Sequence, residues 1–375
     1  MRVDLQGRVS KLSLPKRNGL LPVIEAIINS IHSIADRGNP EGNIELYIER
    51  DQSQSLVLKD ENASQALPIK NFVIKDNGIG FDEVNFKSFL TSDSRYKADR
   101  GGKGVGRLIW LKAFEKVEID SIYVKNGKKY SRRFDFSFHH DPEQVFFDEE
   151  VDEETKIETK VKLLGFQSDY SEHTVRKSEV IAKHIVEHCL RFFLLSKMPK
   201  LLVIDNSHGI SINAMKLYED FLKRKEEDSF KIGDHTFNLT HVMFEASSDI
   251  DHKISYCGND RVVEEKSIKA SDINGLSGKL KERNDDDTGS IYIASVSGDY
   301  LDSHISDDRI SFNFPKEDEL ELGLSFDKIQ NSVIRSSKEF LSPYTKPALD
   351  ENREKIIKFI HNSSETLLRK RRSSS

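Results

Sequence analysis

Apolar residues recur at helical spacing over residues 19–35, at Leu20, Leu21, Val23, Ile24, Ile27, Ile28, Ile31 and Ile34, and predict an amphipathic helix. Glu25 and Asn29 interrupt that stripe four positions apart, which stacks them on one face, one turn from each other. Gly38, Asn39 and Pro40 predict where the helix ends. Alternation over residues 44–48 and the apolar run 72–74 predict half-buried strands, with a further short strand at 56–58 inside polar loop. Residues 76–80 then read as a turn. Residues 84–102 are polar and without clear period, the pattern of a mobile lid. Helical spacing returns over 105–114, and strands are predicted at 116–124, 129–138 and 155–164, with the acidic run 148–154 as a solvated turn. A long amphipathic helix over 175–195 closes this first part of the chain.

Strand-like stretches follow at 201–204, 239–245, 253–257 and 290–296, separated by helical or loop segments such as Asp285-Asp-Asp287, so the next part reads as α+β. After Pro315 the pattern turns helical, and Ile356, Ile357, Phe359, Ile360 and Leu367 give an amphipathic end. Three parts result, 1–197, 198–316 and 317–375, without internal repeats and of α+β class. The 375 residues are enough to bury more than one core. With 57 basic and 63 acidic residues the formal charge is −6, so no global excess favours nucleic acid. Arg369-Lys-Arg-Arg372 is a local basic run, read first as a solvated helix end. The two cysteines, Cys189 and Cys257, lack metal-ligand spacing and fit a reducing compartment. No segment approaches the ~18 apolar residues that read as a bilayer span, and no apolar signal region opens the chain. The expectation is a cytoplasmic protein without a membrane partner.

Three segments carry candidate chemistry. A carboxylate such as Glu25 can accept a proton from water, and the Asn29 amide oxygen, one turn on, suits a hard cation such as Mg²⁺. Asp76 at a strand end, followed by Gly78 and Gly80, offers a carboxylate for an exocyclic amine and backbone that a flat ring can approach. A plain Asp-Asn-Gly turn explains the same residues equally well. Gly101-Gly-Lys-Gly-Val-Gly106 opens a predicted helix, where Gly102, Gly104, Val105 and Gly106 present N–H groups to phosphate and Lys103 adds a charge. It is neither a P-loop nor a dinucleotide-binding turn, because the glycines alternate as Gly-x-Gly-x-Gly.

In this order and spacing, Glu-x-x-x-Asn, Asp-x-Gly-x-Gly and the glycine-rich helix start resemble the nucleotide-binding boxes of the GHKL ATPases, the family of gyrase, the ninety-kilodalton heat-shock chaperones, histidine kinases and MutL. Thr159-Lys-Val161 resembles the family's late Thr-x-Val segment, whose threonine supports the adenine-binding aspartate. The boxes span about residues 20–165. The resemblance implies a Bergerat α/β sandwich with helices on one face of a mixed sheet, ATP and Mg²⁺ as ligands, Glu25 as base, Asn29 as metal ligand and Asp76 as adenine reader. Gyrase and MutL usually carry aspartate three residues after the magnesium asparagine, where this chain has His32.

Histidine kinases of the family usually have asparagine at the Glu25 position and a preceding helical domain, for which the short stretch before the first helix leaves no room. Residues 253–263, with Asn259-Asp-Arg261, look like the strand–turn–strand of the gyrase and MutL transducer, a branch in which a transducer lysine reaches the γ-phosphate. Lys316 and Arg309 are the candidates here, against a reading of each as an ordinary surface cation. The implied activity is ATP hydrolysis coupled to lid closure and N-terminal dimerisation, as the motor of a DNA-related or anti-phage system resembling MORC or topoisomerase subunits. DNA or a protein subunit is then a candidate partner. A non-hydrolysing clamp or chaperone-like module is the alternative. His184-Ile-Val-Glu187-His188 matches a zinc-protease pattern, yet the helix reads as packing and lacks a third ligand. His139 and His140 read as a strand-end pair, and Trp110 reads as core.

Overall fold

The computed structural model describes residues 5–53, 67–90, 106–138, 146–246, 251–258, 261–276, 278–280, 289–305, 311–314 and 324–372. The fold is mixed α+β, with two compact units that divide between Asp220 and Phe221. The first begins with α1 (Leu5–Lys11) and α2 (Leu21–Arg37). In α2 the predicted stripe is the buried face, with Val23, Ile24, Ile27, Ile31 and Ile34 inside. Pro22 sits in the first turn, where its missing N–H costs nothing. Gly38, at φ 65°, closes the helix with its own N–H on the Ala35 carbonyl and the following Asn39 N–H on that of Ile34, a left-handed cap that glycine adopts without strain.

β1 (Asn43–Arg50) and β2 (Ile69–Asp76) follow, then α3 (Glu83–Leu90), a 3-10 turn at Gly106–Ile109, α4 (Trp110–Ala113), β3 (Phe114–Lys125), β4 (Lys128–Phe136), β5 (Phe146–Val151) and β6 (Thr159–Phe166). α5 (Ser168–Ser171), α6 (Ser178–His188), α7 (Leu190–Leu194), β7 (Lys200–Asp205), β8 (Ile210–Asn213) and α8 (Ala214–Phe221) complete the series. Eight strands form one sheet in the order β5-β4-β3-β6-β2-β1-β7-β8. β1 and β7 run parallel, and every other pair is antiparallel. One sheet face is apolar, through residues such as Ile44, Leu46, Phe72, Ile74, Val117, Ile119 and Leu163. The other carries ion pairs, among them Lys75–Glu158 at 3.1 Å, Lys116–Asp135 at 2.7 Å and Lys162–Glu118 at 3.5 Å. Period-two alternation produces the two faces directly.

Four expectations are corrected. The strand read at 201–204 as part of the second domain is β7, paired with β1, so the first unit ends near Asp220 rather than at 197. The acidic run contains an edge strand, β5, whose backbone pairs with β4 and whose charges stay in solvent except Asp148, which pairs with Arg132. Residues 83–90 form α3 instead of lid, because Asp82 caps the helix (Asn85 N–H to Oδ1, 2.8 Å) and Phe86 and Phe89 are buried. The long helix over 175–195 is two, α6 and α7, separated at Cys189. The short strand at 56–58, residues 91–102 of the expected lid, His139-His140 and Asp285-Asp-Asp287 lie outside the described residues. Trp110 is core, and both cysteines are buried and form no disulfide.

The second unit holds β9 (Leu222–Ile232), β10 (His235–Ala246), β11 (Lys253–Gly258), β12 (Arg261–Ser267), β13 (Gly289–Ser297), α9 (Asp299–Ser303) and α10 (Phe326–Arg372). Its sheet order is β12-β11-β13-β10-β9. The C-terminal helix expected as a separate segment instead packs into this unit's core through Ile329, Val333, Phe340 and Leu341. His241 of β10 fastens it: the ring stacks on Phe340 at 4.8 Å, and its nitrogens meet Tyr292 Oη at 2.5 Å and Ser336 Oγ at 3.0 Å. No helix among the described residues is long and apolar enough to cross a membrane.

Candidate functional site

α2 and the C-terminal end of β2 meet through two serines. Ser30, the residue after Asn29, is buried and donates its hydroxyl to Asp76 Oδ2 at 2.7 Å. The second carboxyl oxygen accepts the Gly78 N–H at 2.9 Å. One turn along, the Ser33 carbonyl accepts the Ile79 N–H at 3.0 Å, and its hydroxyl lies 3.4 Å from the Gly80 nitrogen. The helix carrying Glu25 and Asn29 is therefore tied by hydrogen bonds to the turn carrying Asp76, Gly78 and Gly80. A Cβ at Gly78 would lie 2.3 Å from Ser33 Oγ and 2.7 Å from the Ser33 carbonyl carbon, so only glycine permits this approach. Gly80 has φ 80° and faces Ser121 Oγ in the same way.

Thr159 opens β6 directly opposite Asp76 on β2 and is buried with it. Its hydroxyl contacts Ser121 Oγ of β3 at 2.9 Å, and Ser121 in turn accepts the Phe81 N–H at 2.9 Å. Asp76, Thr159 and Ser121 thus form a polar row across three neighbouring strands inside an otherwise apolar face. Buried polar groups are retained where each finds a partner, and these do.

Glu25 is partly buried on α2. Burial pushes its carboxyl above the usual glutamate range, and the Arg191 charge from α7 offsets part of that effect. α7 reaches α2 at His32, which meets Phe192 edge-to-face with ring centres 5.9 Å apart. At this position, where the resembled family has aspartate, the histidine packs helix on helix. Asn29 is also partly exposed. Gly106 begins the 3-10 turn that packs against α2. Gly102, Lys103, Gly104 and Val105 lie outside the described residues, as do Lys316 and Arg309. A cleft of about 490 Å³ reaches Asp76 and Asn77 from the ion-paired side, between Asn43, Glu45, Lys75 and Glu158; neither Glu25 nor Asn29 lines it.

Among the described residues no three His, Cys, Asp or Glu side chains converge as a metal cluster, and His188 of the zinc-like pattern is exposed. Sequence reasoning missed Ser30, Ser33, Ser121 and Arg191. The serines had a signal, since Ser30 and Ser33 are small polar residues three apart within the α2 stripe. Arg191 had none, because only tertiary packing brings it near Glu25. The chain matches no protein-family model, and no curated protein matches it.

Proposed function

We propose that the chain is a Mg²⁺-dependent ATPase of the GHKL kind, whose nucleotide cycle drives lid closure and dimerisation. The observation that carries this reading is the Ser30–Asp76 hydrogen bond, which unites the Glu25/Asn29 helix with the Asp-x-Gly-x-Gly turn, with Thr159 in register beside the aspartate. That bond joins two segments far apart in sequence, each carrying part of the resembled motif. The mixed sheet with one apolar face fits the Bergerat sandwich, and the β11–β12 hairpin fits a transducer.

In this reading Asp76, held from both sides by Ser30 and Gly78, accepts a hydrogen bond from the adenine amine. Gly78 and Gly80 keep side chains away from the ring. Glu25 orients water and takes its proton, and its raised pKa makes it a stronger base than a solvated glutamate. Asn29 offers one amide oxygen to Mg²⁺, a cation that takes most of its remaining ligands from water and phosphate. Gly102, Lys103, Gly104, Val105 and Gly106 supply donors to the phosphates, with Lys316 or Arg309 as γ-phosphate sensor. Two buried cysteines outside any disulfide fit a reducing, cytoplasmic setting. A homodimer closed by ATP, acting on DNA or with a protein subunit, completes the proposal.

The test is ATP binding and phosphate release by wild type and Glu25→Ala, with and without DNA. Binding retained with turnover reduced at least about 100-fold is expected for loss of a general base. Unchanged turnover removes Glu25 from that role. Nucleotide-dependent dimerisation with negligible phosphate release in wild type marks a binding clamp instead.

A further inference from the structure

Arg132 of β4 is an arginine in an aromatic core, with a side chain only 1% exposed. Its guanidinium carbon lies 4.5 Å from the Tyr123 ring centre, 4.8 Å from that of Phe86 and 5.1 Å from that of Phe146. Burying a cation this deeply is costly unless its hydrogen bonds are specific. They are. Nη1 donates to the Phe81 carbonyl at 3.0 Å and the Asp82 carbonyl at 3.1 Å. Nη2 donates to Glu83 Oε1 at 2.9 Å, Tyr123 Oη at 2.7 Å and Asp148 Oδ2 at 2.8 Å. Tyr123 donates its own hydroxyl hydrogen bond to Asp148 Oδ1, at 3.0 Å. Nε is buried without an acceptor, so the fork is oriented by its two terminal nitrogens alone.

Three of those acceptors belong to consecutive residues, Phe81, Asp82 and Glu83, immediately after Gly80. Phe81 also donates its N–H to Ser121, which contacts Thr159, the residue opposite Asp76. The turn is therefore gripped at both ends, by the serines of α2 on one side and by the guanidinium on the other. A single lysine ammonium cannot reproduce the planar fork that spans two carbonyls and a carboxylate.

We propose that Arg132 is a positioning residue for the 76–80 turn, clamping the chain at residues 81–83 so that the Asp76 carboxyl and the Gly78 and Gly80 backbone are held in place for the base of the nucleotide. The functional half rests on the nucleotide reading above; the clamp itself does not. Arg132→Met and Arg132→Lys test it in the full chain, by hydrogen exchange and by ATP affinity with KM and kcat separated. In Arg132→Met, exchange over residues 76–83 is expected to accelerate at least about tenfold while β7 stays protected, the sign of a local opening. ATP is expected to bind about tenfold more weakly, with kcat at saturation within about twofold of wild type, the signature of lost ground-state binding. Arg132→Lys restores neither. Should Arg132→Met not fold, Glu83→Gln and Tyr123→Phe each weaken one branch of the clamp and are expected to accelerate exchange over the same residues. Wild-type exchange at 76–83 in these variants, or wild-type ATP affinity in folded Arg132→Met, overturns the proposal. A wild-type chain that binds no ATP overturns the nucleotide half, and the exchange comparison still decides the clamp.

Discussion

Gly78 and Gly80 illustrate how different constraints select the same residue. At Gly80 the backbone is left-handed, whereas at Gly78 the obstacle is the α2 backbone itself, 2.7 Å from where a Cβ would sit. Gly78→Ala must push the turn off Ser33. It should weaken ATP binding at least about tenfold and cost about 1–3 kcal/mol of stability, as overpacking does elsewhere; isothermal titration and urea unfolding check both. Glu25 carries a pH prediction. Burial raises its carboxyl pKa and Arg191 only partly opposes that, so the carboxylate that the proposed hydrolysis would use as base forms at higher pH than for a solvated glutamate. The acid limb of kcat/KM should therefore fall above the ordinary value of about 4.3. Arg191→Met should move that limb further up, and a pH–rate profile reads the shift.

At the scale of elements, α2 and β7 decide what the first unit is. α2 was legible in sequence because a seventeen-residue helix with one apolar face announces itself by spacing. β7 was legible as a strand but not in its membership, since pairing with β1 is a contact between residues far apart in the chain. A fragment of residues 1–197 lacks β7 and leaves the edge of β1 unpaired, with Ile44 and Leu46 losing their partners Leu201 and Val203. It should aggregate or unfold without cooperativity, whereas residues 1–220 should melt in one transition. Circular dichroism of the two fragments distinguishes them. Elements with weak signals, the edge strand β5 and the short α3, were misread for related reasons. Their acidic or brief patterns carry too little periodicity, and they are specified by β4 on one side and by the Asp82 cap on the other.

The whole first unit is cross-tied by a buried ion pair at the far end of β1. Arg50 and Asp205 are both fully buried, 2.8 Å apart, and Arg50 also donates to the Leu67 and Arg176 carbonyls. Burial opposes ionisation of Asp205, but hydrogen bonds from Ser178, Arg50 and His208 outweigh it and hold its pKa below the usual aspartate range. A carboxyl whose folded pKa is lowered contributes stability above its unfolded pKa, near 3.9, and that stability is lost as pH falls through the folded value. Asp205→Ala should cost about 3–5 kcal/mol at neutral pH, because it strands a buried guanidinium. The difference from wild type should shrink below about pH 4 as the wild-type carboxyl protonates. Urea titrations at pH 7 and pH 3 measure both.

The sequence by itself determined the class of the fold, the α2 helix and most strands of both sheets, and it singled out Glu25, Asn29, Asp76, Gly78, Gly80 and Thr159 as candidate positions. Those features are written in local spacing and in short patterns of special residues. Tertiary structure alone decided that β7 belongs to the first sheet, that the C-terminal helix packs on the second, and that Ser30 braces the aspartate while Ser33 and Ser121 hold the turn that follows it. It also decided that Arg132 grips the turn from the opposite side and that Arg191 faces Glu25. These are contacts between residues whose spacing along the chain carries no period, so only the folded backbone brings them together.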